Sequence, residues 1–115
     1  MKELKDYQTV PEAEKTLLLR CREALKALDP AAEIILYGSR ARGDADRESD
    51  YDLLILSDGD ASIEREDFFR RRLFPLELET GAVVTVLLVG RKEWKSPLYG
   101  AMPFYQNIQR DGVVL

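Results

Sequence analysis

The chain has 115 residues, 45% of them hydrophobic, so we expect a single domain over residues 1–115 with one hydrophobic core. Its formal net charge of −4, from 21 acidic and 17 basic residues, argues against broad binding to a nucleic-acid backbone. The sequence contains no histidine, which excludes histidine bases, histidine metal ligands and Ser-His-Asp catalysis. Any acid–base or metal chemistry therefore has to use carboxylates, hydroxyls or lysine.

The sequence favours a cytoplasmic location. Its first residues lack the apolar core of a secretory signal, and no apolar run has the length that a membrane span requires. One cysteine cannot form an internal disulfide. Because Cys21 falls among leucines at helical spacing, we expect it to be a small core residue.

The first half of the chain predicts a helix, a strand, a short helix and a second strand. Leucines recur at three- and four-residue steps after Thr9-Val10-Pro11, so the first helix should begin there and run to about residue 28. Residues 33–37 are apolar and partly β-branched, which is typical of a buried strand. The glycine that follows indicates a strand-to-helix turn, with a short helix over residues 39–43. A polar loop then leads to a strand over residues 51–56.

The next segment predicts a helix that Ser62 can cap, with an arginine run, residues 70–72, on its exposed side. Pro75 complicates this helix. Residues 76–79 alternate as a strand would, or they form a last helical stretch restarted by the proline, and we favour the helix. Residues 83–89 form the most strand-like run of the chain. We expect them to be central in the sheet and buried on both faces.

The C-terminal part predicts a last helix from Pro97 toward Arg110, closed by Gly112. Pro103 either interrupts or restarts this helix. The aromatic side chains of residues 99–105 either form a partner-facing patch or close the core of the domain itself. Together the elements predict an α/β or α+β sandwich, with helices on a small sheet.

Asp50 and Asp52 stand one residue apart at the start of the second predicted strand. Residues two apart in a strand project from the same face, so both carboxylates should aim at one point. Two like charges about 4 Å apart repel by roughly 4 kcal/mol at an intermediate dielectric constant, which favours a bound divalent cation. Mg²⁺ takes oxygen ligands and usually shares its shell with nucleotide phosphates. The Gly38-Ser39 turn would then hold those phosphates.

The two segments Gly38-Ser39-Arg40-Ala41-Arg42-Gly43 and Ser49-Asp50-Tyr51-Asp52-Leu53 carry a family resemblance. Together they resemble the signature of the minimal nucleotidyltransferases, a branch of the DNA polymerase β-like nucleotidyltransferase superfamily. Residues 81–94 are similar to that family's third core strand and the turn after it. The resemblance implies a nucleotidyltransferase-like fold with a small mixed sheet flanked by helices. It also implies attack of an acceptor hydroxyl on the α-phosphate of a nucleoside triphosphate, with Mg²⁺ as cofactor and AMP transferred from ATP.

The resemblance further implies a site of five residues. A glycine lets the backbone approach the triphosphate, a serine hydroxyl with neighbouring amides binds a terminal phosphate, and an arginine adds a phosphate contact. Two aspartates hold Mg²⁺ and form the catalytic pair. In that order these residues are Gly38, Ser39, Arg42, Asp50 and Asp52. Arg40 is a further candidate phosphate contact, and a solvated helix face is the alternative for both arginines.

One carboxylate of the family pattern is missing. Members that transfer nucleotides usually present a third acid on the strand that corresponds to residues 83–89, where this chain has Thr85. Its loss weakens activation of the attacking hydroxyl more than nucleotide binding. The alternative role of Thr85 is that of a β-branched residue filling a central strand. Glu77 or Glu79 could supply the missing charge, or both could be solvated.

Once the sheet and its helices are assigned, no segment of the predicted domain remains to form an acceptor-binding domain, so we expect the acceptor to be bound by another subunit or to be itself a protein. Minimal nucleotidyltransferases are commonly paired with a small helical HEPN protein in toxin–antitoxin modules, where active members place AMP on the partner. The resemblance implies such a partner here. The alternative is a catalytically impaired subunit that binds nucleotide and partner. The acidity and the lack of a basic, aromatic-lined groove disfavour a nucleic-acid polymerase accessory.

Overall fold

Five strands form one mixed sheet in the computed structural model, which describes residues 1–7 and 10–115. Their order across the sheet is β1-β5-β2-β3-β4. β2 is antiparallel to both of its neighbours, whereas β3 and β4 are parallel, as are β1 and β5. The strands are β1 (Lys2–Glu3), β2 (Glu33–Tyr37), β3 (Tyr51–Ser57), β4 (Val84–Gly90) and β5 (Val113–Val114).

Helices connect most of the strands. Among residues 1–7 and 10–115, no helix is both long and apolar enough to traverse a bilayer. A short 3₁₀ turn, Leu4–Asp6, follows β1. The α-helices are α1 (Glu12–Leu28), α2 (Ser39–Arg42), α3 (Ile63–Thr80), α4 (Arg91–Trp94), α5 (Pro97–Gly100) and α6 (Pro103–Asp111). The sheet with its flanking helices confirms the predicted fold class.

The sheet is covered on both faces because β2 and β3 are apolar at consecutive positions. The side chains of one face join a cluster with the buried residues of α1 and α3, among them Leu18, Cys21, Leu25, Phe69 and Leu73. Cys21 is fully buried, as predicted for a core residue. The other face packs against the C-terminal helices in a second cluster, whose buried members are Ile35, Leu54, Leu56, Val89, Trp94 and Ile108.

The local predictions for the first three helices agree with the structure. α1 begins at Glu12 after Pro11, and Thr9, where the predicted helix opens, lies outside the described residues. The Ser62 hydroxyl accepts a hydrogen bond of 3.1 Å from the Arg65 amide and so caps α3. This helix continues through Pro75 to Thr80, so residues 76–79 are helical, as favoured.

The expectation that residues 83–89 form a central strand is wrong, because β4 lies at one edge of the sheet. Its burial alternates at first, with Thr85 and Leu87 only half-buried. Leucine at a half-buried position hid this alternation in the sequence. On the open side of β4, Glu77 and Glu66 of α3 accept hydrogen bonds from the amides of Val84 and Leu88, at 2.9 and 3.0 Å. These bonds satisfy donors that an edge strand would otherwise expose.

The last predicted helix is divided in two. α5 ends at Gly100, and Pro103 occupies the first turn of α6, so this proline restarts the helix. Trp94 lies within 4.8 to 6.2 Å, between ring centroids, of Tyr99, Phe104 and Tyr105. Since these rings belong to the second cluster, they close the core of the domain, which was one of the two predicted alternatives.

Candidate functional site

A glycine turn joins β2 to α2 at one end of the sheet. Gly38 has φ 75° and ψ −157°, a conformation that residues with a Cβ rarely adopt. Its carbonyl accepts hydrogen bonds of 3.1 Å from the amides of Ala41 and Arg42, so α2 begins directly after it. A Cβ on Gly38 would overlap Oδ2 of Asp52 and lie 3.4 Å from its Cγ. The backbone conformation and the adjacent carboxylate therefore both require glycine here.

Asp52 is held between the two strands that flank β3. It lies opposite Tyr37 of β2 and opposite Thr85 of β4. The Thr85 hydroxyl donates a hydrogen bond of 2.6 Å to Oδ1 of Asp52, while Oδ2 lies at the Gly38 turn. Burial, together with the negative charge of Asp52, raises the pKa of the Tyr37 hydroxyl. The half-buried carboxylate thus has one oxygen fixed by a neutral donor and the other at the glycine turn.

Asp50 precedes β3 by one residue and is exposed. Strand pairing begins next to it, where the Tyr51 amide donates a hydrogen bond of 2.9 Å to the carbonyl of Val83. Asp50 is therefore at the same end of the sheet as Asp52 and Gly38. Within residues 1–7 and 10–115, no cluster of three acidic, histidine or cysteine side chains is arranged to hold a metal ion.

The Asp52 carboxylate lies beside the glycine turn, and Asp50 precedes β3 at the same end of the sheet. A site of this kind fits a divalent ion whose shell is completed by phosphates. Mg²⁺ is commonly bound through one or two carboxylates plus substrate phosphates and water. The overlap that a Cβ at Gly38 would make with Asp52 shows how closely backbone and carboxylate approach there. Because Gly38 has no side chain, the space beside the Asp52 carboxylate is not filled by residue 38 itself.

Ser39 and Arg42 begin and end α2. Ser39 is half-buried, and its carbonyl accepts hydrogen bonds from the amides of Gly43 and Asp44. The Arg42 side chain is 47% exposed and pairs with Asp44 through Nε and Oδ2 at 3.2 Å. Exposed ion pairs contribute little stability, so a bound anion can compete with Asp44 for Arg42. The Arg42 side chain thus lies on a solvated helix face, which was one of the two alternatives for this residue.

Arg40 does not lie on a solvated face. Only 14% of its side chain is exposed, and it forms an ion pair with Glu14 of α1. The guanidinium carbon lies 4.3 Å from the ring centroid of Tyr51, and Nε and Nη2 donate to the Ser49 carbonyl at 3.2 and 2.9 Å. The protein itself therefore uses the donors that the phosphate-contact hypothesis for Arg40 requires.

The two glutamates considered as substitutes for the missing acid are engaged elsewhere. Glu77 accepts the amide of Val84 at the start of β4, and Glu79 forms an ion pair with Arg20 on the surface. The group that lies beside Asp52 on β4 is the hydroxyl of Thr85, the residue that the resemblance aligns with the third acid. Thr85 was expected to be a filler of a central strand, and its hydrogen bond to Asp52 is a contact that the sequence did not reveal.

Residues 18–110 match the family model of the nucleotidyltransferase domain. The chain belongs to this family. The matched range includes the glycine turn, both aspartates and Thr85. Among curated proteins, none matches the sequence significantly.

The crystal structures that resemble this nucleotidyltransferase domain include the following two. One, of a toxin–antitoxin with AMP-PNP, has a TM-score of 0.57 and 18% sequence identity, and the match covers 86% of this chain and 69% of the other. The second, of a protein assigned as a nucleotidyltransferase, has a TM-score of 0.55 and 25% identity, covering 85% of this chain and 96% of the other. The first likeness concerns the fold alone. Family and fold together confirm the predicted nucleotidyltransferase-like architecture.

Membership of the nucleotidyltransferase family implies a nucleoside triphosphate substrate and a divalent metal ion. The resemblance found in the sequence is thereby confirmed at the level of family and fold. The roles of the five site residues stay predictions, now with defined positions at one end of the sheet. The contacts of Arg40 with Glu14 and Tyr51 were not predicted. No signal in the sequence links Glu14 on α1 to the loop before β3.

Proposed function

We propose that this chain is a Mg²⁺-dependent nucleotidyltransferase that transfers AMP from ATP to an acceptor hydroxyl, with residues 1–115 acting as one domain in the cytoplasm. The observation that carries the proposal is the approach of the Gly38 backbone to the Asp52 carboxylate. A triphosphate bound at this turn would lie directly beside the carboxylate.

The five site residues divide the work between phosphates and metal. Gly38 admits the triphosphate to the backbone, Ser39 binds a terminal phosphate with the first amides of α2, and Arg42 leaves Asp44 to add a positive charge. Asp50 and Asp52 hold the metal ion. When bound, Mg²⁺ offsets the negative charge that develops on the phosphates during transfer.

Thr85 keeps Asp52 in position through its 2.6 Å hydrogen bond. It does not ligate as a carboxylate would, so the site has one negative charge fewer than a site with three acids. Activation of the acceptor hydroxyl is then weaker, whereas nucleotide binding is retained. This supports a slow transferase.

For the acceptor we propose a small helical protein of the HEPN type. One structural neighbour is a toxin–antitoxin crystallised with AMP-PNP, which supports a two-protein system with a nucleotide. The resemblance in the sequence independently implies a HEPN partner. The acceptor would be a hydroxyl on that partner.

A second candidate function is a catalytically impaired subunit that binds nucleotide and partner. The hydrogen bond between Thr85 and Asp52 favours it, because a neutral group occupies the position of the third acid. Such a subunit would retain the glycine turn and both aspartates for nucleotide binding.

The deciding experiment incubates the purified chain with Mg²⁺, α-labelled ATP and the product of the neighbouring gene. Label on that protein supports the transferase, and saturable ATP binding without label transfer supports the binding subunit. The double variant Asp50→Asn with Asp52→Asn is the control and should lose Mg²⁺-dependent binding while remaining folded. Tight Mg²⁺-dependent ATP binding by this double variant would contradict both functions. Ser39→Ala should weaken binding by roughly 1–3 kcal/mol if its hydroxyl meets a charged phosphate oxygen.

A further inference from the structure

The peptide group between Ser49 and Asp50 is held in place by one arginine. Nε and Nη2 of Arg40 both donate to the Ser49 carbonyl, at 3.2 and 2.9 Å. A peptide group is planar, so fixing this carbonyl also fixes the amide nitrogen of Asp50. On its other side, the Tyr51 amide donates to the carbonyl of Val83 at 2.9 Å. Asp50 is therefore bracketed by two fixed peptide groups although its side chain is exposed.

Arg40 is itself fixed by groups from α1 and β3. Its guanidinium pairs with Glu14 and lies over the ring of Tyr51. The Tyr51 hydroxyl completes this group by donating a hydrogen bond of 2.8 Å to Oε1 of Glu14. Tyr51 alternates with Asp50 and Asp52 along the chain and belongs to the core cluster of α1 and α3. The cluster of Arg40, Glu14 and Tyr51 thus ties the start of β3 to α1.

The loop that precedes Asp50 is closed on itself and presented to Arg40 as one unit. The Ser49 hydroxyl accepts from the Asp46 amide at 3.0 Å and donates to Oδ1 of Asp46 at 3.2 Å. The Ser49 amide donates to the Asp46 carbonyl at 3.3 Å. Arg40 also donates to the Arg47 carbonyl at 3.4 Å. Release of the guanidinium would therefore free the whole loop together with Asp50.

We propose that Arg40 is a positioning residue, which, held by Glu14 and Tyr51, sets the place of Asp50 and thereby the affinity of the site for Mg²⁺. The proposal rests on the function proposed above, since it assigns a role toward the metal ion of that site. Arg40 acts through the Ser49 carbonyl and has no contact with the phosphates. A lysine cannot replace it, because its donors sit on one compact nitrogen, whereas the three nitrogens of the planar guanidinium reach Ser49, Arg47 and Glu14 separately.

The far end of the same strand provides a matched control. Arg65 pairs with Asp29 at 2.9 Å, donates to the Ser57 hydroxyl at 2.8 Å and lies 5.2 Å from the ring centroid of Phe69. This cluster has the chemistry of the Arg40 cluster, with 27% of the arginine side chain exposed, but lies where β3 ends. Arg65→Lys should therefore reproduce the structural loss of Arg40→Lys without disturbing Asp50.

The test measures two quantities in the full chain for Arg40→Lys, Glu14→Gln and Arg65→Lys. The first is the Mg²⁺ concentration for half-maximal binding of a non-hydrolysable ATP analogue. The second is amide hydrogen exchange over residues 44–52 without nucleotide. Arg40→Lys should raise the Mg²⁺ midpoint by roughly tenfold, the scale seen when groups behind a metal ligand are lost. Exchange over the loop should accelerate in Arg40→Lys and in Glu14→Gln, and neither quantity should change in Arg65→Lys.

Glu14→Gln separates positioning from a direct phosphate contact. A released Arg40 would bind phosphate better, so a direct contact predicts tighter nucleotide binding in this variant, whereas positioning predicts a higher Mg²⁺ midpoint. Equal midpoints and equal exchange in Arg40→Lys and Arg65→Lys would overturn the positioning role and leave the proposed function intact. Absence of nucleotide binding by the wild-type chain at every Mg²⁺ concentration would overturn both. Because Glu14 lies outside the proposed site, its variant also decides the matter if Arg40→Lys does not fold.

Discussion

Thr85 and Asp52 lie opposite each other across the parallel strands β3 and β4, and the hydroxyl of one donates to the carboxylate of the other at 2.6 Å. A hydrogen bond to a charged acceptor is shorter and stronger than one between neutral groups. The bond leaves Oδ2 of Asp52 at the Gly38 turn, where it could bind the proposed metal ion together with the phosphate oxygens. Thr85 therefore orients Asp52 through this bond.

Replacing Thr85 by valine removes this donor and keeps the β-branched shape. We expect Thr85→Val to lower the free energy of unfolding by about 1 kcal/mol, because Asp52 is half-buried and water replaces part of the bond. Mg²⁺-dependent nucleotide binding should weaken as well, and titration calorimetry would measure it. Thr85→Ser keeps the hydroxyl and serves as the control. Equal binding by the valine and serine variants would show that the hydroxyl does not orient Asp52.

Replacing Thr85 by aspartate supplies the third carboxylate. Without metal, the new charge faces Asp52 across the strand pair and should lower thermal stability through repulsion. Mg²⁺ should restore that stability and raise the rate of AMP transfer, since the added acid helps to activate the acceptor hydroxyl. The measurements are melting temperature with and without Mg²⁺ and label transfer to the partner. A rate of transfer that stays at the wild-type level would place the limitation elsewhere than at position 85.

Gly38 and Gly81 both have positive φ, 75° and 76°, but only Gly38 has a side chain against it. Alanine at either position should cost about 1–3 kcal/mol of stability from backbone strain. Gly38→Ala should in addition displace Asp52 and abolish Mg²⁺-dependent nucleotide binding. Gly81→Ala should retain it, since no atom lies within 4 Å of its new Cβ. Chemical unfolding and nucleotide titration of both variants test this, and binding by Gly38→Ala at wild-type affinity would contradict the site.

The elements that carry the site could be predicted because their signals are local. Apolar runs ending at glycine gave the strand, turn and helix around Gly38, and alternation placed Asp50 and Asp52 at one strand end. Strand order could not be predicted in the same way. The edge position of β4 depends on which strands pair, and an apolar run occurs equally in central and edge strands when its half-buried side is also apolar.

Side-chain partners were the other limit of sequence-based prediction. Glu14 and Arg40 are 26 residues apart, and Asp52 and Thr85 are 33 apart, so neither pair is visible before the fold is known. From the sequence, Arg40 was a candidate phosphate contact or part of a solvated helix face. Its side chain instead binds the loop before Asp50. Arg40 thus connects the glycine turn to the loop that precedes Asp50, a contact that the motif itself does not predict.

The cluster at Arg40 also predicts a dependence of stability on pH. Burial, then the hydrogen bond and charge of Glu14, raise the pKa of Tyr51 from 10.0 to about 12. Because the folded-state pKa is the higher one, the stabilisation from protonated Tyr51 is complete below pH 10 and is lost as the pH rises through 12. Tyr51→Phe should therefore be less stable than the wild type at pH 8, with a deficit that shrinks between pH 10 and 12. Urea unfolding of both proteins across this range measures the deficit. A deficit that stays constant to pH 12 would mean that the Tyr51 hydroxyl titrates alike in the folded and unfolded chain.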